Sequence, residues 1–450
     1  MTTIGQSFAN RYDSALTQLC GLDVDSGIRP FRMTPIICTI GPSCENIKII
    51  AEMIEVGMNI CRLNMAHGTF ELLSQPDTGM SQKLCFSQEL GEEVKFKKGD
   101  VVILTNEKEL QDKCDRSVLY INSQYYLNLA KIGHKIWVGD GLLSFVVKEK
   151  LNHGKLRAEV DTEGEISNLD HCIIPRVPPA PTCCLTDYDK ECIKFALAHN
   201  VDMIFASWVW SESIIKEIRS MLGDKGAKMK IIANIENYMG VKNFNEIVEA
   251  ADGVMVARGD LGMDLPPEKV FLAQKNMIGR ANVAGKPLSM LDSMVKNPRP
   301  TRAEAGDVAN AILDGADCIM LSRETAAGRY PVLALKYACA IAREAEMAVH
   351  HDRVYRQLRA STPLPVDSTH CTAISAVEAS IRCQASAIIV VTNSGRSAGV
   401  VARYRPPCLI VAVTKSQHTV KLLHLHRGIY PVLHDAASCG EWIDDIDFRI

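Results

Sequence analysis

What constrains this chain most is a repeated alternation. Short runs of β-branched and aliphatic residues are each followed by a stretch whose apolar positions have helical spacing. The runs fall at 36–40, 59–63, 202–208, 230–236, 253–258 and 317–321, and helical patterns fall at 47–56, 214–222, 244–250, 270–284 and 330–349. Strand then helix, repeated, marks a parallel sheet covered by its crossover helices, because parallel neighbours cannot be joined by a tight turn. The number of units and the length of 450 residues predict a (β/α) barrel.

Two stretches break the alternation. Between 85 and 175 short alternating strands are separated by turn residues, which predicts an antiparallel β-domain inserted in the barrel. The run 353–365, with its Arg, Ser and Pro, reads as a linker into a second α/β unit with a helix at 373–382 and strands at 387–392 and 408–413. The expected organisation is an N-terminal arm over 1–30, a barrel over 31–84 and 176–352, an inserted lid over 85–175, and a C-terminal α/β domain over 366–450 without recognisable closing elements.

Charge excludes some partners. Fifty Lys and Arg against 53 Asp and Glu give a formal charge of -3, so no whole-chain field attracts nucleic acid or an anionic membrane. No apolar run reaches the roughly 18 residues of a membrane-spanning helix, and the first ten residues lack a leader pattern, so a cytoplasmic protein is expected. None of the 16 Cys forms C-x-x-C. They read as reduced thiols, and Cys183-Cys184 lacks the partners of a zinc site.

Five ordered motifs go further: ICTIGP at 37–42, CRLNMAHGT at 61–69, MVARGDLG at 255–262, PRPTRAE at 298–304 and LDGADCIMLS at 313–322. Together they resemble the signatures of the pyruvate kinase family. The resemblance implies a TIM (β/α)8-type barrel, here incomplete, an inserted β-barrel lid, and a C-terminal α/β domain that in the family often holds an allosteric sugar phosphate. It also implies phosphoryl transfer from phosphoenolpyruvate to ADP, giving pyruvate and ATP, with Mg²⁺ and usually K⁺, and a homo- or hetero-tetramer of family subunits.

The same positions read as chemistry. Phosphoryl transfer leaves the protein little covalent work, so it needs cations and donors placed around the moving phosphate and the forming enolate. Glu236 and Asp260 end successive expected strands, where barrel active sites gather, and two carboxylates with substrate oxygens suit Mg²⁺; solvated loop acids are the bland alternative. Arg62 is the expected bidentate phosphate ligand, against a structural buried Arg. Gly259 and Asp260 open a turn whose N–H groups could take a substrate carboxylate. Asn64 resembles a K⁺ ligand, although Ala66 replaces a hydroxyl of the family pattern, and Asp77 and Thr78 are the remaining K⁺ candidates. In the C-terminal unit Thr392, Ser394 and Ser397 resemble an effector-phosphate turn, with Asn393 replacing a Lys.

Departures from the pattern bear on activity. Asn234 stands where the family carries Lys, and a neutral amide cannot reproduce the ammonium's field. Losing one preorganised group costs ~10²–10³ in rate, and losing a cationic finger ~10³–10⁵. Between 69 and 96 only Asp77-Thr78-Gly79-Met80 remains of a helix, a third strand and the start of the lid. The stretch 285–294 is shortened, which predicts a seventh strand too short to present a side chain, and Arg323 replaces a Gly. Two readings follow: a pyruvate kinase homologue of severely reduced activity, or an inactive relative serving as a pseudoenzyme, a ligand-binding subunit or a translated damaged gene copy. A third is residual Mg²⁺-dependent chemistry on an oxaloacetate-like acid.

Overall fold

The computed structural model describes residues 14–65, 84–85, 93–110, 115–121, 124–139, 141, 143–151, 154–167, 172–177, 185–292, 295 and 297–434. The chain clusters into two compact units, one of residues 1–63 and 278–450, the other of residues 64–277.

In the first unit four parallel strands follow the order Leu288–Asp292, Cys318–Leu321, Ile36–Ile40, Ile60–Leu63. Ile36 pairs with Ile319, and Cys38 with Cys61, so apolar side chains stand in register across the sheet. The helices Ile47–Val56, Arg302–Asp314 and Pro331–Met347 belong to these strand–helix steps. The helix Arg302–Asp314 begins at a capping box, in which Thr301 and Glu304 satisfy each other's backbone N–H, and stops at Gly315 in the left-handed region. Gly41 in the first motif is required by close approach, since a Cβ there would lie 2.7 Å from the Ala326 carbonyl oxygen. The seventh strand, expected to be short, has five residues. Leu288–Asp292 has four register partners in Cys318–Leu321, because parallel pairing needs only backbone.

The C-terminal part of the same unit is a three-stranded parallel sheet, Ala387–Val391, Leu409–Thr414 and Ile429–Leu433, with helices Ser368–Cys383, Arg396–Arg403 and Gln417–Leu423. One expectation is corrected here. Much of the stretch read as a linker is the helix His351–Ala360. Val354, Tyr355 and Leu358 form an apolar stripe at i, i+1 and i+4, which packs into the C-terminal core with Val377, Ala398, Val401 and Ile410.

In the second unit the strands Met203–Ala206, Lys230–Ile235 and Gly253–Val256 are parallel neighbours, with helices Asp187–Ala198, Glu212–Leu222 and Phe244–Ala250. The inserted β-domain lies here too. Its larger sheet has the order Cys172–Ile173, Lys135–Val138, Leu143–Lys150, Leu156–Thr162, Val101–Thr105, Val118–Ile121, Leu84–Cys85. All its pairs are antiparallel except Val101–Thr105 with Val118–Ile121, which are parallel, with the turn Lys108–Leu110 in the chain between them. Alternate residues Val102, Leu104, Ile136, Val138, Phe145, Val147, Ala158 and Val160 fill its core, where Phe96 meets Phe145 edge-on at 5.9 Å.

The described cysteines are free thiols. Six are buried, Cys38, Cys44, Cys172, Cys318, Cys339 and Cys408, while Cys20, Cys61, Cys371 and Cys383 are exposed. Among the described residues no helix is long and apolar enough to cross a membrane.

Candidate active site

The strand Lys230–Ile235 is buried and apolar from Ile231 to Ile235 except at Asn234. Asn234 is 0 % exposed, its amide nitrogen reaches Ser207 Oγ at 3.4 Å, and its Oδ1 has no hydrogen-bond partner. Glu236 comes two residues later, so alternation along an extended chain sets it on the same side. Both side chains meet the same neighbouring segment. Glu236, 5 % exposed, accepts the Trp208 N–H at 2.7 Å through Oε2. Trp208 has φ of 53°, a left-handed conformation that costs a non-glycine residue ~1 kcal/mol or more.

The next strand ends level with this one, because Ile235 pairs with Val256 and the Ala257 N–H donates to the Ile235 carbonyl at 3.2 Å. The residues after it form the helix Arg258–Asp264, not the turn expected at Leu261-Gly262 and not a continuation of the strand through Arg258. Leu261 and Met263 bury, which draws the chain into a helix at once. Asp260 is half-buried in its first turn, and Gly259 is exposed with nothing within 4 Å of the place a Cβ would take. Asp264 closes the helix as a buried carboxylate that accepts the Arg176 N–H at 2.6 Å and the Tyr238 N–H at 2.5 Å. Burial pushes its carboxyl up, and the two N–H groups and the Arg176 charge only partly offset that. Arg176, like Trp208, is left-handed, with φ of 62°. Two buried acids thus each hold the N–H of a left-handed residue that is not glycine. Nothing in the sequence signalled these pairs, since the usual marker of such a turn is absent.

Three side chains at the ends of these two neighbouring strands carry oxygen ligands: the carboxylates of Glu236 and Asp260 and the orphaned Asn234 Oδ1. Such a set suits a hard cation such as Mg²⁺ or Mn²⁺. A buried acceptor without a donor is also the kind of atom a cation satisfies, so the residues present fit the ion the resemblance implies. Among the described residues no three of His, Cys, Asp and Glu gather to hold a metal, so a cation here takes its other oxygens elsewhere.

The other expected residues are placed as follows. Asn64 is half-buried in the second unit, and the carbonyl of Met65 beside it accepts the Tyr188 hydroxyl at 2.6 Å. Asp77, Thr78 and Ala66 lie outside the described residues. Arg62 belongs to the first unit, half-buried, donating to Thr39 Oγ1 at 3.2 Å from the neighbouring strand. Arg323, which replaces a Gly of the family pattern, is exposed at the start of the helix Arg323–Ala326. In the C-terminal turn Thr392 Oγ1 accepts the Gly395 N–H at 3.0 Å and Ser394 Oγ the Arg396 N–H at 3.5 Å, while Ser397 is half-buried. Arg396 is paired with Asp367 at 2.7 Å.

Parallel strand–helix steps with acids at the strand ends define a barrel-type α/β protein. The family model of the pyruvate kinase barrel domain matches residues 31–78 and 76–335, and that of the pyruvate kinase alpha/beta domain matches residues 370–448. The chain is 41 % identical to human pyruvate kinase PKLR over 97 % of its own length and 81 % of that protein. It is 38 % identical to the pyruvate kinase of Schizosaccharomyces pombe over 93 % of this chain and 87 % of the relative. With pyruvate kinase 1 of Saccharomyces cerevisiae the identity is 36 % over 97 % and 92 %. The chain belongs to the pyruvate kinase family, with that family's barrel and C-terminal α/β domains.

Proposed function

We propose that this chain is a phosphotransferase of the pyruvate kinase type, moving the phosphoryl group of phosphoenolpyruvate to ADP at a severely reduced rate. The observation that carries the reading is Asn234: a fully buried, neutral amide, its oxygen orphaned, stands where the family pattern calls for a lysine. In this reading Glu236 and Asp260 hold Mg²⁺, which when bound neutralises charge on the phosphoryl and enolate oxygens. Trp208 fixes the Glu236 carboxylate through its N–H, so the acid is oriented before substrate arrives. The open backbone at Gly259 admits a substrate carboxylate, Arg62 takes the phosphate, and Asn64 contributes to a K⁺ site. Thr392, Ser394 and Ser397 remain the candidate effector-phosphate turn. A tetramer of family subunits and a cytoplasmic location accompany the reading. What is missing is a cation beside the moving phosphoryl group, and its loss accounts for a drop of ~10²–10⁵ in turnover.

A second reading has one specific support. The barrel-family match is broken into two segments that overlap at residues 76–78, in the stretch where the sequence lacks a strand–helix step. A barrel without that step favours a silent, ligand-binding subunit. A coupled phosphoenolpyruvate-plus-ADP assay separates the two. The first predicts pyruvate formation above that of Glu236→Ala, and a gain of at least about tenfold in Asn234→Lys. Turnover equal to Glu236→Ala, with no gain from Asn234→Lys, leaves the second.

A further inference from the structure

We infer that Asn234 is a metal ligand in its own right: its Oδ1 joins Glu236 and Asp260 in a site that takes up a divalent cation without substrate. The inference rests on the reading that Glu236 and Asp260 hold the ion, and adds what the replacement of lysine does to that site.

The Asn234 side chain is wholly buried, and of its two polar atoms only the nitrogen has a partner, the hydroxyl of Ser207 at 3.4 Å. An acceptor left unmet in the interior is paid for in stability unless the functional state supplies a partner. Three candidate partners exist in principle: a donor side chain, a water or a cation. No donor side chain reaches it, which leaves a water or a cation. The nearest groups along the strand point to a cation, because Glu236, two residues on, meets the same neighbouring segment. The anchoring of the amide nitrogen on Ser207 leaves the oxygen as the atom free to bind an ion. Access requires little, since Ser207 is exposed and its 3.4 Å contact is long.

Charge arithmetic agrees. A lysine at 234 would set an ammonium close to the two carboxylates, repelling a dication and competing with it for their oxygens. Asparagine removes one positive charge and adds one neutral oxygen, the ligand type Mg²⁺ and Mn²⁺ prefer. The substitution that weakens phosphoryl transfer therefore strengthens resting metal uptake.

The test uses the full chain, stripped of metal by chelation, with Mn²⁺ as the probe and free Mn²⁺ counted by electron paramagnetic resonance. Wild type is expected to bind Mn²⁺ in the absence of phosphoenolpyruvate. Asn234→Ala should weaken uptake about tenfold and Asn234→Lys about a hundredfold, the range typical for disturbing a metal site. Asn234→Asp, which restores an oxygen, should bind at least as well as wild type, and melting curves without metal show that each variant is folded. Unchanged affinity in Asn234→Ala, with binding lost in Glu236→Ala, overturns the inference and leaves the catalytic reading intact. Uptake seen only when phosphoenolpyruvate is present does the same. Wild-type affinity in Glu236→Ala overturns the underlying assignment of the ion to that carboxylate.

Discussion

At the scale of single residues, stability in the first unit depends on a buried ion pair. Asp317 lies at the start of the strand Cys318–Leu321, and its two oxygens accept from Arg405 at 2.6 and 2.9 Å and from the Arg427 N–H at 3.2 Å. Arg405 also donates to Asn282 Oδ1 at 2.6 Å and to the Gly315 carbonyl at 3.0 Å. Both partners are almost completely buried, so neither charge can turn to water if the other is lost. Asp317→Ala is expected to cost about 3–5 kcal/mol, measured by urea unfolding, because it strands a guanidinium in the interior. The double replacement Asp317→Leu with Arg405→Met should cost much less, as it removes the unpaired charge too. Equal losses in the two variants would show that side-chain volume, not charge, sets the effect. The pair is separated by 88 positions, and neither member stood out in the sequence. Asp317 sits in a motif that does stand out, but its partner lies just past the helix Arg396–Arg403, in the left-handed region with φ of 53° and in no motif.

Among the elements, the helix His351–Ala360 shows where local reading fails and why. Arg353, Arg356, Arg359, Ser361 and two prolines in a short span look like a solvated connection, and the arginines are indeed polar-face residues. What makes the segment a helix is the opposite face. Tyr355 is fully buried and its hydroxyl donates to the Ile374 carbonyl at 3.1 Å. Tyr355→Ala is expected to destabilise the protein by about 3–5 kcal/mol, as other large aromatic truncations in cores do. Tyr355→Phe should cost only the ~1 kcal/mol of one hydrogen bond. Thermal melts of both variants test this, and a loss in Tyr355→Ala no larger than that in Tyr355→Phe would mean that the ring is not part of the core. Other elements were legible. The strands Ile36–Ile40 and Lys230–Ile235 and the helices Ile47–Val56 and Phe244–Ala250 match expectation because each carries a complete period of its own apolar pattern.

For the molecule as a whole, two buried groups tie stability to pH in the same direction. Burial lowers the pKa of His351 from the ordinary 6.5 to about 3, with the Arg427, Arg29 and Arg405 charges adding to the effect against one hydrogen bond to the Arg405 carbonyl. Between those two values the unfolded chain binds a proton that the folded one refuses, so acidification favours unfolding across that window. For Asp317 burial pushes the carboxyl up, but the Arg405 charge and hydrogen bonds outweigh it, with His426 and the Arg427 N–H assisting, and hold it below the ordinary range. A depressed carboxyl stabilises the fold above its unfolded value, and that contribution is lost as pH falls through the folded value. Unfolding free energy should therefore decline from near neutral pH downward, by up to about 1.4 kcal/mol per pH unit for His351 alone. His351→Gln should flatten the part between roughly pH 6 and 4.5, while the steeper loss at lower pH remains. A pH profile unchanged by His351→Gln would show that the imidazole does not titrate with unfolding.

The sequence by itself determined the strand–helix order, the inserted β-domain, the second α/β unit and the family, because each is written in local periodicity or in contiguous motifs. It also singled out Glu236, Asp260 and Asn234 as candidate site residues. The tertiary structure alone decided that Trp208 would turn left-handed to hold Glu236, that Asn234 would be buried with an unanswered oxygen, and that Arg405 would find Asp317. Those outcomes depend on which distant segments are pressed together once apolar faces are buried. Short-range patterns carry no record of such pairings.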